Sequence, residues 1–354
     1  MAPMKKEIKR IAIVRLSALG DIVNTTVTLQ FIHKQFPHAK IEWITEKVFA
    51  PLLENHPLIS AVHTINLKEI KEQKSFTLLK ESISKLRSLG EFDIIIDIQG
   101  LLKSAIVARL IGKNTHGFDS SSARERVASL FYKTTSHVKY DENVIKRNCF
   151  LVSDALGFEI DDEMLQNKEA LFVKQENLCF EEKYLFPHTN IFPHVKLPHA
   201  DIDSRNIAIV IGASRESKKY PKEKVAELCE KLKQNCIIIW GNENEKEDGM
   251  WICKNSSYAT LAPKLSLNEL VSAISSVDLV IGNDTGPTHM AWAQNTPSIT
   301  LFGPTTTRMI YETQKNIGIK SPSVVDINKI DKNDFSIKEI EVDEIVAQAK
   351  ELLR

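Results

Sequence analysis

Leu279-Val280-Ile281-Gly282-Asn283-Asp284-Thr285-Gly286-Pro287-Thr288-His289 is the stretch whose reading decides the fold. Its apolar start reads as a buried parallel strand and residues 288–294 as the start of a helix, so the residues between them form a strand-to-helix turn. Such a turn attracts anions. The backbone N–H groups of Thr285, Gly286 and Thr288 are expected to face outward at the helix start, Pro287 donates none, and Gly286 lets a ligand approach the backbone closely. Taken alone, the same residues also suit an ordinary βα loop capped by an Asp or Thr side chain.

Upstream of this turn the pattern repeats. Residues 206–211 read as a strand leading into Gly212-Ala213-Ser214-Arg215-Glu216-Ser217-Lys218-Lys219-Tyr220-Pro221, with a helix at 222–234 whose first turn suits Pro221. The next strand, 236–240, ends in Gly241-Asn242-Glu243 before a helix through Ile252. Ser266 and Glu269 spell a capping box ahead of a helix at 267–276. Downstream, residues 297–305 give one more strand and turn, and 342–353 an amphipathic helix.

The first half carries the same alternation. Residues 11–16 form a strand, Ser17-Ala18-Leu19-Gly20-Asp21 a turn, and 22–35 a helix, which places Asp21 at a helix N-terminus beside a strand's carboxyl end. Strands follow at 40–45, 62–66 and 93–99, with helices at 47–55, 76–89, 100–111, 122–132 and 143–157. Repeated βα units imply a parallel sheet covered on both faces, and Asp93-Ile94-Ile95-Ile96-Asp97 has the apolar run of a central strand. Between the halves, residues 174–205 carry Pro and His without periodicity and read as a linker.

Composition narrows the function. At 354 residues the chain fits two domains of common size. Its 46 Lys plus Arg balance 46 Asp plus Glu, so no global field points to nucleic acid or to an anionic membrane, and any basic surface is local. Arg124, Arg126, Lys133 and Lys139 offer one such surface or merely a solvated helix face. Five cysteines (Cys149, Cys179, Cys229, Cys236, Cys253) form no CxxC pair and point to reduced thiols in a cytoplasmic protein, with Cys229 and Cys236 as packing residues. No apolar run is long enough to span a membrane, and the run after Lys9 and Arg10 is too short for a signal peptide. An exported solute-binding protein is disfavoured on that ground.

The chemistry is expected at strand ends. Ser214 with Lys218, Glu243, residues 284–289 and Thr305 to Thr307 all follow strands of the second half, and in an open parallel sheet such ends converge on one crevice. A nucleotide diphosphate suits them: Lys218 neutralises phosphate, Ser214 and the turn amides donate to it, and Glu243 accepts from ribose hydroxyls. Asp21 is an isolated carboxylate that would repel phosphate, so it reads as a base. Neither turn spells GxGxxG or GxxxxGK[ST]. Asp201-Ile202-Asp203 matches a DxD metal motif only by chance placement in the linker, and His188, His194 and His199 lack a metal site's spacing, so no cofactor or metal is expected.

These residues resemble the ADP-heptose:lipopolysaccharide heptosyltransferases of glycosyltransferase family 9, the type I enzymes most closely. The likeness runs over nearly the whole chain through Ser17-Ala18-Leu19-Gly20-Asp21, Asp97-Ile98-Gln99-Gly100-Leu101-Leu102-Lys103-Ser104, His116-Gly117-Phe118-Asp119, Ala123-Arg124-Glu125, residues 128–132, Lys218-Lys219-Tyr220-Pro221, Trp240-Gly241-Asn242-Glu243, Asp284-Thr285-Gly286 with His289, and Phe302-Gly303-Pro304-Thr305. It implies the α/β GT-B fold, two Rossmann-like domains with parallel sheets facing a cleft. The implied division is an acceptor-binding domain at 1–180, a linker at 181–205, a nucleotide-sugar domain at 206–335, and a C-terminal helix at 336–354 crossing back to the first domain. By the same resemblance Asp21 is the catalytic base. Lys218 meets the donor phosphate and Glu243 the ribose, Asp284, Thr285, Gly286 and His289 form the donor loop, and Lys103 and Arg124 meet the acceptor. The partners implied are ADP-heptose, Kdo-lipid A (lipid A bearing 3-deoxy-octulosonic acid) and the cytoplasmic surface of the inner membrane. Ala213-Ser214 and Pro287 depart from the type I pattern, where two hydroxyl residues and an aliphatic residue are usual. Type II or III enzymes and a non-transferase GT-B sugar-nucleotide enzyme such as an epimerase are the alternatives.

Overall fold

A computed structural model describes residues 7–173, 204–327 and 330–354. The chain divides after Leu171 into two compact units, each built on a six-stranded parallel sheet. In the first unit the strands are β1 (Arg10–Val14), β2 (Lys40–Glu46), β3 (Ala61–Ile65), β4 (Ile94–Asp97), β5 (Thr115–Phe118) and β6 (Thr134–Ser136). Its helices are α1 (Leu19–Gln35), α2 (Ala50–Leu53), α3 (Leu67–Gln73), α4 (Phe76–Arg87), α5 (Leu102–Ile111), α6 (Val144–Leu156) and α7 (Asp162–Gln166).

The strand order is β3-β2-β1-β4-β5-β6, all parallel. The chain winds outward from β1 to β3, then returns to lay β4 on the other side of β1, so the winding reverses between β1 and β4. Carboxyl ends at such a reversal open a crevice. Ile11, Ala12, Ile13, Val14, Ile95 and Ile96 are buried, which is why these strands read as apolar runs rather than alternating ones.

The second unit repeats this plan with β7 (Asn206–Val210), β8 (Asn235–Ile239), β9 (Ala259–Leu261), β10 (Leu279–Asn283), β11 (Ser298–Phe302) and β12 (Asn316–Lys320). Helices α8 (Lys222–Leu232), α9 (Glu243–Asn255), α10 (Leu267–Ile274), α11 (Gly286–Ala293) and α12 (Val342–Leu352) accompany them. The order β12-β11-β10-β7-β8-β9 puts the reversal between β7 and β10. These strands pack so closely that a Cβ on Gly282 would lie 2.6 Å from Val210 Cβ and 2.7 Å from Thr288 Oγ1. Ser266 and Glu269 form the capping box expected for α10, and Cys229 and Cys236 are buried packing residues.

Three features differ from the sequence expectation. Strands β5, β6 and β12 extend the sheets. Residues 122–132 are a turn followed by a 3-10 stretch, Arg126–Phe131, instead of an α-helix. Here Asp119 Oδ1 takes the N–H groups of Ser121 and Ser122, and Glu125 N donates to Gly100 O instead of to the carbonyl four residues back. The C-terminal helix, expected to cross to the first domain, packs within the second unit. Val342, Ile345, Val346 and Ala349 join that unit's core beside α8, and Tyr220 Oη donates to Ile340 O at 2.8 Å. The expected linker, with its three histidines and Asp201 and Asp203, lies outside the described residues apart from residues 204 and 205, as do residues 1–6. Among the described residues no helix is long and apolar enough to cross a membrane.

Candidate active site

At the reversal of the second sheet, β10 delivers Asn283 and Asp284 to the carboxyl edge. Lys218, from the loop after β7, donates to Asp284 Oδ2 at 2.7 Å and to Asp284 O at 2.6 Å. His289 Nε2 lies 3.1 Å from Asp284 Oδ1. Burial alone would push the Asp284 carboxyl up, but the His289 hydrogen bond and the Lys218 charge outweigh it and hold the group below the usual carboxylate range. Asn283 ties the same two loops by accepting from Tyr220 N at 3.0 Å and donating to Ile211 O and Gly212 O at 3.0 and 3.2 Å.

Above this cluster α11 begins at Gly286, with Thr285 as its N-cap in extended conformation and without a side-chain cap. The capped-loop reading therefore fails. Thr288 Oγ1 donates to Asn283 O at 2.7 Å, which fixes the first turn on the end of β10. Among the described residues the N–H groups of Thr285, Gly286 and Thr288 have no partner, so they make the expected donor array at a helix start.

The other residues proposed for this half are spread along the same edge. Ser214 is exposed after β7. Glu243 opens α9 with its side chain 75% exposed and its carboxylate 3.2 Å from Lys246 Nζ. Two residues on, Glu245 is buried, accepting from Gly241 N at 2.6 Å and Asn242 Nδ2 at 2.7 Å, with Gly212 so close that a Cβ there would strike its carboxylate. Sequence reading passed over Glu245, although its place at the third helical position was a capping signal. Thr305, past the end of β11, is buried with no partner for its hydroxyl.

In the first unit, Asp21 stands in the first turn of α1. The Arg15 guanidinium reaches Asp21 Oδ1 at 2.8 Å, and Ala18 N donates to Asp21 Oδ2 at 3.2 Å. Arg15 is itself buried and donates to Ile98 O at 2.6 Å, which ties the loop of Asp21 to the end of β4. A cation closing an apolar strand was the signal for Arg15, and sequence reading assigned it no role. Gln99 makes a second tie, accepting from Leu16 N at 2.8 Å and donating to Ser17 Oγ at 3.4 Å. Lys103 makes a third, donating to Ser17 Oγ and Glu46 Oε1, each at 3.1 Å.

Beneath these ties Asp97 is fully buried. It accepts from Tyr132 Oη at 2.7 Å, Ser104 Oγ at 2.8 Å and Gln99 N at 2.9 Å. Burial pushes its carboxyl up, against the opposing pull of those donors, and burial beside Asp97 pushes the Tyr132 phenol up. Arg124 is exposed on the neighbouring loop and makes no ion pair among the described residues. Asp21 and Lys103 are thus brought to one strand-end crevice, with Arg124 at its side, and Lys218, Asp284 and His289 to the other unit's. One crevice offers a carboxylate able to accept a proton; the other offers a cation and free amides suited to a diphosphate. Among the described residues no group of three or more His, Cys, Asp or Glu side chains is placed to hold a metal ion.

The model of glycosyltransferase family 9 (heptosyltransferase) matches residues 83–332. Lipopolysaccharide heptosyltransferase 1 of Campylobacter coli is 37% identical over 356 residues, covering 97% of this chain and 98% of that one. The protein of the same name from Escherichia coli K12 is 27% identical over 315 residues, covering 87% and 92%. Among solved structures, E. coli heptosyltransferase WaaC with ADP superposes with a TM-score of 0.76 at 22% identity, covering 97% of this chain and 99% of that one. E. coli ADP-heptose lps heptosyltransferase II gives 0.67 at 16% identity, covering 97% and 98%. At these identities the structural likeness speaks to the fold.

Proposed function

The chain belongs to glycosyltransferase family 9, the heptosyltransferases, and from that premise we propose that it moves heptose from ADP-heptose to the Kdo of Kdo-lipid A in lipopolysaccharide inner-core synthesis. The acceptor choice follows the relatives named heptosyltransferase 1. It works from the cytoplasm at the inner-membrane surface, where a lipid-borne acceptor lies. The observation that carries the donor assignment is the Lys218–Asp284–His289 cluster beneath the unpartnered amides of Thr285, Gly286 and Thr288.

The roles follow from charge. An acceptor hydroxyl attacks the anomeric carbon of ADP-heptose, the bond to the diphosphate oxygen breaks, and configuration inverts. Asp21 takes the hydroxyl proton as the new bond forms, held in register by Arg15 and the Ala18 amide. A single base is enough, because an inverting reaction through an oxocarbenium-like transition state needs one open face for the acceptor. Lys218 directs two of its three N–H donors to Asp284 and the third to the leaving diphosphate, joined by the amides at the start of α11. Ser214 adds a hydroxyl donor and Glu243 takes the ribose hydroxyls. Lys103 and Arg124 meet the acidic acceptor, and no metal takes part.

Incubating the full chain with ADP-heptose and two acceptors tests this, with products read by mass spectrometry. Kdo-lipid A without heptose should gain one heptose. Transfer only to an acceptor already bearing heptose would move the assignment to a type II or III enzyme, and no transfer to either would overturn the proposal.

A further inference from the structure

The first unit exposes large apolar side chains in a regular pattern. Leu102 and Ile106 stand one turn apart on α5, and Val127 and Leu130 three residues apart on the 3-10 stretch Arg126–Phe131. All four face solvent, Val127 at 54% and Leu130 at 81% exposure. Ala105, Ala108 and Ala128, on the same two elements, are fully buried. These elements pack on each other and are already satisfied by their small residues, so the core makes no use of the exposed four.

Charge around them is mainly positive, although Lys103 is paired with Glu46 at 3.1 Å. Within residues 102–111 and 124–133 the cations are Lys103, Arg109, Arg124, Arg126 and Lys133. The single carboxylate there, Glu125, is engaged as acceptor for Leu102 N at 2.7 Å. Protruding apolar tips ringed by cations match the layer where lipid headgroups meet acyl chains, since the tips enter the apolar boundary while the ring meets phosphates. A protein partner would instead call for a flatter surface with aromatic anchors. Lys103, at the first turn of α5, donates to Ser17 Oγ, so the patch begins beside the loop that carries Asp21.

We propose that the face made by α5 and Arg126–Phe131 seats this protein on an anionic lipid bilayer, with Leu102, Ile106, Val127 and Leu130 entering the headgroup layer. The inference rests on the reading that the acceptor is lipid-borne: its lipid stays in the membrane under this face while its sugar reaches the loop of Asp21.

Flotation with vesicles tests the surface. The full chain should float with phosphatidylcholine vesicles containing phosphatidylglycerol and not with pure phosphatidylcholine, and binding should fall as salt rises. The double variant Val127→Glu with Leu130→Glu should bind about tenfold more weakly or worse, and Arg126→Ala about fivefold more weakly. Transfer to a delipidated, water-soluble Kdo acceptor should stay unchanged in the double variant, showing that it is folded. A wild type that binds neither vesicle, or both equally, overturns the proposal, as does a double variant that floats like wild type. If flotation behaves as expected but the wild type transfers heptose to no acceptor, the activity reading falls and the lipid surface stands.

Discussion

The Lys218 ammonium holds Asp284 at two points, the carboxylate at 2.7 Å and the main-chain carbonyl at 2.6 Å, and so ties the loop after β7 to the loop after β10 where the sheet reverses. Both side chains are largely buried, at 13% and 4% exposure. The contact therefore has two separable roles. It fixes the geometry of the loop after β10, and in the proposed reaction Lys218 turns its remaining N–H to the diphosphate.

Lys218→Gln should weaken ADP binding about ten- to a hundredfold, the size of one hydrogen bond to a charged group. It should also destabilise the fold, because Asp284 is left buried with only His289. Adding Asp284→Asn should restore much of the stability without restoring ADP affinity. Calorimetric titration with ADP and urea unfolding read the two effects; recovered ADP binding in the double variant would contradict the role given to Lys218.

Acid should act through Asp284. Its folded carboxyl lies below the ordinary range, so its contribution to stability is full above the unfolded value of about 3.9 and is lost as pH falls below it. The stability difference between wild type and Asp284→Asn should accordingly be constant near neutral pH and shrink below about pH 4. A difference that persists unchanged at pH 3 would contradict the ionised, paired state.

His56 acts in a higher window. Burial pushes its imidazole down to about 4 from 6.5, and Leu58 N donates to Nδ1 at 3.2 Å, which requires the neutral ring. Between those two values the unfolded chain binds the extra proton and the folded one does not, so stability rises with pH across the window, by about 3 kcal/mol in all. Denaturant midpoints measured from pH 4 to 7 should show this slope in wild type and a flatter one in His56→Gln.

Gln99 holds the start of the loop of Asp21 at two points, Leu16 N and Ser17 Oγ. Gln99→Ala should lower turnover about ten- to a hundredfold by loosening the base, with the KM for ADP-heptose and the affinity for ADP unchanged. A loss of ADP affinity would mean that Gln99 supports the fold at large instead of this loop.

The central strands were legible because β1, β4, β7, β8 and β10 are buried on both faces and so read as apolar runs. β6 escaped because it is only three residues long, and β5 and β12 because Thr115-His116-Gly117-Phe118 and Asn316-Ile317-Gly318-Ile319-Lys320 carry too little apolar character to stand out. The spacing of Val127, Leu130 and Phe131 suggested an α-helix, yet the Asp119 carboxylate and the Gly100 carbonyl claim the backbone donors just before it. Asp284 and His289 were readable because a turn of five residues brings them together whatever the fold does. The ties of Arg15 to Ile98, Gln99 to Leu16 and Lys103 to Ser17 cross long stretches of sequence, and only the strand order makes them contacts. Glu243 and Glu245 lie two apart on a helix, so they face different ways, and the capping spacing from Asn242 to Glu245 is the local pattern that marks Glu245 as the one turned inward.

The most direct measurement compares wild type with Asp21→Ala in heptose transfer from ADP-heptose to heptose-free Kdo-lipid A, with ADP affinity measured in parallel. Turnover should fall by roughly 10²–10⁴, the usual contribution of a general base, while ADP binds as tightly as before. Unchanged turnover would remove Asp21 from the mechanism.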